Sequence, residues 1–284
     1  MDKSFLVLLG VLGVSFSSIF VKYADAPSAV LVVYRNGFAA LALSVPIALK
    51  YRDEISKVHI KEILICILSG IFLAMHFFFF FESIKYTSVA SSTALVNTEV
   101  FFVALMSFFF YKEKVQKKAA VGVLITFIGS LIIALGDGGE GHGALYGDLM
   151  ALLGAFAMSI YTMIGRRQRK NTSTTVYTFF VYLAAALTML AYCIPSGISI
   201  TGYSSINYVM ALCMTLCCTF FGHSIFNYCL KFISPVFIST AKLGEPLFAT
   251  ILALVIFREI PGAVQITGAI MVVSGLYIYG RFER

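Results

Sequence analysis

The chain contains two apolar stretches that align without a gap: KYTSVASSTALVNTEVFFVALMSFFFYKE (residues 85–113) and KFISPVFISTAKLGEPLFATILALVIFRE (residues 231–259). Both begin with lysine, end with a basic residue followed by glutamate, and carry one glutamate inside the apolar part. These inner glutamates, Glu99 and Glu245, fall at the same aligned position, 146 residues apart. Charged residues are rare within membrane helices, so the repeated glutamate indicates an internal duplication.

The duplication extends beyond these stretches toward both ends of the chain. Near the N-terminus, at a shift of 144 residues, Leu8–Gly10 aligns with Leu152–Gly154. Each copy contains five apolar stretches, an odd number of membrane crossings, so the second copy must be inverted relative to the first. We therefore predict two inverted five-helix repeats, residues 1–136 and 144–284, joined by a short Gly-rich outside loop at 137–143. Inverted repeats are typical of transporters, whose substrate site lies near the midplane between the halves.

The composition favours a chain embedded in a lipid bilayer. Hydrophobic residues make up 60% of the 284 residues and charged residues 12%, against about 45–50% and about 25% in soluble domains. This excludes a soluble enzyme, a disordered chain and a secreted disulfide scaffold. Ten stretches reach the length of about 20 residues that a membrane helix needs, and they lack the alternation of barrel strands. The predicted spans of this all-α polytopic membrane protein are 4–21, 27–49, 60–82, 86–110, 117–136, 144–165, 174–195, 205–231, 235–257 and 261–280.

The distribution of basic residues predicts the orientation in the membrane. With the N-terminus inside, 16 of the 21 Lys and Arg residues lie in inside segments, 3 lie in outside segments and 2 lie within spans. The positive-inside rule therefore predicts that both termini are cytoplasmic. The first helix belongs to the repeat, so we expect it to be retained rather than cleaved as a signal peptide. The basic residues are spread over short loops, so we predict no nucleic-acid partner despite the net charge of +7.

Three segments resemble a known transporter family. GALYGDLMALLGAFAMSIYTMIGRR (143–167) resembles the start of an EamA domain. Ser234–Tyr277, with its Glu-Pro pair and the later FREIPGAVQITGAIMVVSGLY, resembles the end of that domain, and Phe81–Ile133 is the matching piece of the first copy. The chain is similar to the EamA family of the drug/metabolite transporter superfamily over nearly its whole length. The resemblance implies ten helices in inverted halves, alternating access and typically the export of amino acids or other small metabolites. The chain departs from the family pattern in having no Trp, which the family often carries in helices 1 and 6.

Four ionisable residues lie well inside predicted spans: Arg35, Glu99, Lys242 and Glu245. An unpaired charge at the bilayer centre costs about 2.5–3.5 kcal/mol on insertion scales. Lys242 and Glu245 are three residues apart and share a helix face, while Asn97 adds a neutral hydrogen-bonding group near Glu99. We predict that these five residues form a substrate or proton-coupling cavity. The alternative is a buried ion-pair network that locks the two halves together.

Weaker candidates are polar and aromatic residues within the predicted spans. His76 and His223 lie within predicted spans and could relay a proton, although helix packing is the commoner role of such a residue. The tyrosines could line an aromatic cavity. The six cysteines form no paired CxxC signature, and no phosphate loop or nucleophile motif occurs. We therefore predict no enzyme activity, no cofactor and no metal ion. The weaker site candidates are Tyr34, His76, Ser92, Tyr161, Tyr177 and His223.

These observations predict a secondary active transporter in the plasma (inner) membrane that moves a small polar metabolite such as an amino acid by alternating access. We expect export, with Glu99 or Glu245 as the candidate proton-coupling site. No nucleotide-binding segment occurs, so we expect no ATPase partner; a monomer and a homodimer both stay open. One alternative is an exchanger of phosphorylated metabolites or nucleotide sugars. Another is a lipid-binding or scaffolding membrane protein without transport activity.

Overall fold

The computed structural model describes residues 3–87, 89–113, 116–136, 144–257 and 262–282. All regular structure within these residues is helical, in fifteen α-helices and one π-helix. The helices are α1 (Lys3–Ser15), α2 (Ser17–Tyr23), α3 (Ser28–Lys50), α4 (Arg52–Lys57), α5 (Ile60–Tyr86), α6 (Val89–Val96), α7 (Glu99–Tyr111), α8 (Lys117–Gly136), α9 (Ala144–Gln168), α10 (Thr174–Cys193), α11 (Ser205–Cys213), the π-helix (Met214–Ser224), α12 (Ile225–Cys229), α13 (Pro235–Lys242), α14 (Glu245–Phe257) and α15 (Ala263–Phe282).

Within the described residues, each of the ten predicted spans overlaps one of these helices or two to three consecutive helices. Within the described residues, seven helical segments are long and apolar enough to cross a membrane by length and composition. The chain is therefore an all-helical polytopic membrane protein with seven to ten candidate spans, and the predicted fold class is confirmed at this level. The short helix α4 was not predicted, because its sequence RDEISK is polar and too short for a span.

Several spans are interrupted near their middle. The fourth span breaks at Asn97–Thr98, between α6 and α7, and the ninth breaks at Leu243–Gly244, between α13 and α14. The Thr98 hydroxyl donates to the Leu95 carbonyl at 2.7 Å, a side-chain bond that competes with the helical ladder. In the ninth span Pro246 removes a backbone donor at the start of α14, a position where proline is tolerated. The two breaks lie at aligned positions of the two copies.

The helices of the two copies pack against one another throughout the bundle. Helix α3 packs on α10, α8 on α15, α7 on α13, α5 on α9, and α1 on the π-helix. The contact between α8 and α15 is close because glycines line it. A Cβ atom at Gly122 would lie 2.8 Å from the Gly275 carbonyl oxygen, and one at Gly129 would lie 2.8 Å from that of Gly268. Residue numbers rise along α8 as they fall along α15, so the two helices are antiparallel.

Candidate functional site

A small cavity lies between the interrupted spans, and residues of both copies line it. The five residues that the sequence predicts for the cavity, Arg35, Asn97, Glu99, Lys242 and Glu245, all line it. The structure therefore brings together groups that are up to 210 positions apart in the sequence. The remaining lining residues are Val14, Ser17, His76, Phe77, Phe80, Val96, Met158 and His223.

Lys242 and Glu99 form a buried ion pair in the wall of the cavity. The Lys242 ammonium donates to Glu99 Oε1 at 2.9 Å, and the two side chains are only 6% and 3% exposed. Glu99 is the first residue of α7 and Lys242 the last residue of α13. A negative charge at a helix N-terminus and a positive charge at a helix C-terminus both interact favourably with the helix dipole. The pair joins the broken span of one copy to the broken span of the other.

Glu245 also contacts the other copy at these two breaks, but its partner is a neutral amide and not a charged group. The Asn97 amide donates to Glu245 Oε2 at 3.2 Å, and Glu245 is the first residue of α14. Its spacing of three from Lys242 predicts a shared helix face, but the break at Leu243–Gly244 interrupts the helix between them. Lys242 pairs instead with Glu99 of the other copy. No Lys, Arg or His nitrogen of the described residues lies within 4.0 Å of the Glu245 carboxylate.

Arg35 is a fully buried cation, with 0% of its surface exposed. Its Nε donates to Thr219 Oγ1 at 2.8 Å, and its Nη1 donates to Ser17 Oγ at 3.3 Å. The guanidinium lies over the Phe77 ring, 3.9 Å from the centroid. Within the described part of the chain, Nη2 has no hydrogen-bond partner, and no carboxylate lies within 4.0 Å of the guanidinium.

Two of the weaker candidates, His76 and His223, line the cavity as well. Their ring centroids are 6.2 Å apart. His76 Nδ1 lies 3.0 Å from the Gly154 carbonyl oxygen, which accepts a hydrogen bond if Nδ1 carries the proton. His223 Nδ1 has no partner among the residues that the structure describes. These contacts give His76 a packing role against α9 and leave His223 with an unused polar atom.

The other four weaker candidates lie outside the lining of the cavity. The Tyr161 ring packs against His223, with the ring centroids 6.3 Å apart. Its hydroxyl accepts a hydrogen bond from Asn227 Nδ2 at 2.5 Å. The other three occupy separate places: Tyr177 Oη lies 2.6 Å from Ser69 Oγ, Tyr34 contacts Tyr208 and the Ile200 carbonyl, and Ser92 is buried.

Three residues that contact Arg35 were not predicted from the sequence: Ser17, which lines the cavity, and Thr215 and Thr219, which do not. Ser17 and Thr219 bind the Arg35 side chain, and the Thr215 hydroxyl donates to the Arg35 backbone carbonyl at 2.8 Å. Both threonines belong to the π-helix Met214–Ser224, a form that is frequent at functional sites. A signal was present, because Thr215, Thr219, His223 and Asn227 recur every four residues along the eighth span.

The end of the bundle near residues 166–173 is held by polar contacts. Arg166 donates to Glu113 Oε1 at 2.8 Å and to the Ile233 carbonyl at 2.9 Å. Arg169 donates to the Asn227 carbonyl at 3.0 Å, and its burial lowers the pKa of the guanidinium from the ordinary value. The sequence predicted these basic residues as topology determinants, and the structure adds a role in closing this end of the bundle.

The chain is similar to a family of transporters and to several named relatives. A family profile described as the EamA-like transporter family matches residues 3–135 and 145–281. The chain is 26% identical to "Uncharacterized transporter YxxF" of Bacillus subtilis over 93% of this chain and 85% of the relative. It is 23% identical to an "Uncharacterized transporter" of Archaeoglobus fulgidus over 74% and 73% of the two chains. It is 22% identical to the "Probable amino-acid metabolite efflux pump" of Salmonella typhimurium over 71% of each chain.

A solved crystal structure superposes on the chain with a TM-score of 0.78, covering 99% of this chain and 98% of that chain. The two sequences are 16% identical, so this likeness shows the fold alone. The family match covers most of the chain in two segments, which confirms the predicted family and the prediction that the chain is not an enzyme. The chain is a multi-pass membrane transporter of the EamA-like family, within the drug/metabolite transporter superfamily.

Proposed function

We propose that the chain is a secondary transporter that exports a small zwitterionic metabolite, such as an amino acid, across the plasma membrane. The observation that carries this proposal is the uneven pairing of the four cavity charges. Lys242 and Glu99 neutralise each other, whereas Arg35 has no carboxylate partner and Glu245 contacts only the Asn97 amide among the groups described. Arg35 and Glu245 are therefore left to bind a ligand.

The chemistry of these two free groups favours a zwitterion. The unpartnered Nη2 of Arg35 can donate to a substrate carboxylate, in a charge-assisted hydrogen bond that is stronger than a neutral one. The Glu245 carboxylate can accept from a substrate ammonium group. A ligand that carries both charges satisfies both groups and leaves the cavity neutral, and burying a charge is costly unless it is paired. A carboxylate-only or amine-only ligand satisfies one group and leaves the other unpaired.

The architecture around the cavity supports alternating access by two inverted repeats. Helices α8 and α15, which are equivalent in the two copies, pack antiparallel through their glycines, as inversion requires. The breaks at Asn97–Thr98 and Leu243–Gly244 lie at aligned positions and border the cavity. Broken helices at the interface of inverted repeats form substrate sites in transporters. Together with the positive-inside rule, this supports halves 1–136 and 144–284 with cytoplasmic termini.

Glu245 is the proposed proton-coupling group. Glu99 pairs with Lys242, so protonation of its carboxylate would leave that lysine as an unpaired buried charge. Glu245 has a neutral amide as its partner and can therefore gain or lose a proton without breaking an ion pair. Transport direction and substrate class draw support from the Salmonella relative, which is named a probable amino-acid metabolite efflux pump.

The test is a counterflow assay with purified protein in proteoliposomes. Vesicles are loaded with each of the twenty L-amino acids in turn, and in parallel with a sugar phosphate and a nucleotide sugar, and uptake of the same labelled compound is measured. We expect exchange of at least one amino acid and no exchange of the phosphorylated compounds. Exchange of phosphorylated compounds alone would establish the exchanger alternative. Folded protein without flux of any of these compounds would contradict the proposed substrate class.

A further inference from the structure

We infer that Thr219 is a positioning residue for the substrate carboxylate: its hydroxyl fixes the Arg35 guanidinium in the orientation that leaves Nη2 without a protein partner among the described residues. This inference rests on the proposed function, in which Arg35 binds that carboxylate. It adds a residue that does not line the cavity and that the sequence did not single out. It also gives a role to the π-helix of the eighth span.

The evidence is the set of contacts that hold the Arg35 side chain. Thr219 Oγ1 accepts from Nε at 2.8 Å, a shorter distance than the 3.3 Å between Nη1 and Ser17 Oγ. Phe77 packs on the face of the guanidinium at 3.9 Å, a contact that fixes the plane but permits rotation within it. The hydrogen bond to Thr219 is therefore the contact that sets the rotation of the group.

The π-helix binds both the backbone and the side chain of Arg35. Thr215 binds the Arg35 backbone carbonyl at 2.8 Å, and Thr219, one turn further along, binds the side chain. Both threonines are buried. Because Thr219 uses the single Nε–H and Ser17 uses one of the two Nη1–H groups, Nη2 is the guanidinium nitrogen with no partner among the described residues. A group held in its binding geometry before the ligand arrives loses less entropy on binding, which strengthens affinity.

The test compares Thr219→Val with Thr219→Ser. Valine keeps the shape of threonine but removes the hydroxyl, whereas serine keeps the hydroxyl. Thr178→Val is the matched control, because Thr178 is a buried threonine whose hydroxyl donates to the Thr174 carbonyl of its own helix. Arg35→Lys is measured alongside, since lysine retains the charge but cannot reproduce the planar fork of arginine. The probe is the L-amino acid with the highest counterflow in the assay above.

We expect the substitution to change KM but not the maximal rate of transport. Thr219→Val raises KM about tenfold with little change in the maximal rate, because hydrogen bonds to charged groups contribute on the order of a tenfold factor in affinity. Thr219→Ser restores the parental KM, and Thr178→Val does not change it. A folding defect caused by valine at position 219 would instead lower the maximal rate of Thr219→Val without raising its KM.

A second measurement needs no substrate. In protein labelled with nitrogen-15 on the arginine Nε, the resonance that disappears in Arg35→Lys identifies Arg35. We expect this resonance to shift in Thr219→Val and to keep its position in Thr219→Ser and Thr178→Val. The inference is overturned if Thr219→Val leaves both the resonance and KM unchanged while Arg35→Lys raises KM. An unchanged KM in Arg35→Lys would instead contradict the proposed function of Arg35.

Discussion

Lys242 Nζ lies 2.9 Å from Glu99 Oε1, and this buried pair joins the broken ninth span to the broken fourth span. The two residues come from different copies of the duplicated unit and are 143 positions apart. Because Lys242 and Glu99 neutralise each other, two of the four cavity charges are not available to bind a substrate. The pair also ties the two halves together at the level of the cavity.

The first prediction concerns the stability of this pair. Glu99→Gln leaves Lys242 as a buried, unpaired charge, so we expect the free energy of unfolding to fall by about 3–5 kcal/mol. The double variant Glu99→Gln/Lys242→Met removes both charges and should be less destabilised than Glu99→Gln alone. Chemical denaturation in detergent micelles measures these differences. The control is Glu113→Gln, which breaks a pair whose glutamate side chain is 34% exposed, with an expected change of at most about 1 kcal/mol.

The second prediction concerns proton coupling. Glu245→Gln keeps a group that can bond the Asn97 amide but cannot exchange a proton, so we expect transport by this variant to lose its response to an imposed pH gradient. Amino-acid efflux from proteoliposomes with and without the gradient measures this response. Glu82→Gln is the control, because Glu82 pairs with Lys85 at a helix end away from the cavity. A parental pH response in Glu245→Gln would remove Glu245 from the coupling role.

The third prediction concerns the glycine contact between α8 and α15. A Cβ atom at Gly129 would lie 2.8 Å from the Gly268 carbonyl oxygen and from Val272 N. Gly129→Ala therefore forces the helices apart, and we expect a loss of about 1–3 kcal/mol in stability, as for overpacked interiors. Gly280→Ala, on α15 with nothing within 4 Å of the added Cβ, should not destabilise the protein. Equal melting temperatures for the two variants would show that the close contact is dispensable.

The fourth prediction concerns orientation in the membrane. Ser199 and Asn171 are both exposed in loops, and the positive-inside rule places residue 199 outside and residue 171 inside. A membrane-impermeant maleimide should label Ser199→Cys in intact cells and Asn171→Cys only after permeabilisation, each above the background of the parental cysteines. The reverse pattern would show that the protein has the opposite orientation.

Apolar runs of about 20 residues were sufficient to predict the helical spans, because a bilayer permits few other structures for such a sequence. The interruptions were not predicted, since a hydropathy average does not register a broken hydrogen-bond ladder. Gly244 followed by Glu245 and Pro246 is a recognisable break signal in the ninth span. The π-helix Met214–Ser224 has no such signal. It packs closely against α1, since a Cβ atom at Gly13 would lie 2.8 Å from the Cys217 carbonyl oxygen.

The sequence predicted which charges meet but not how they pair. Arg35, Glu99, Lys242 and Glu245 line one cavity, as expected for ionisable groups that avoid lipid. The helical spacing of Lys242 and Glu245 says nothing about the other copy, so the preference of Lys242 for Glu99 emerges only in three dimensions. The spacing of Thr219 was visible in the sequence, but its contact with Arg35 was not, because the two residues are 184 positions apart.

The most direct test of the zwitterion site combines substrate analogues with charge-removing variants. The transported amino acid is compared with its amino-alcohol analogue, which lacks the carboxylate, and with its hydroxy-acid analogue, which lacks the ammonium group. Competition by each compound against amino-acid counterflow is measured in the parent, Arg35→Gln and Glu245→Gln. We predict that Arg35→Gln loses the preference for the amino acid over the amino alcohol, and that Glu245→Gln loses the preference over the hydroxy acid. Parental preferences in both variants would contradict the account.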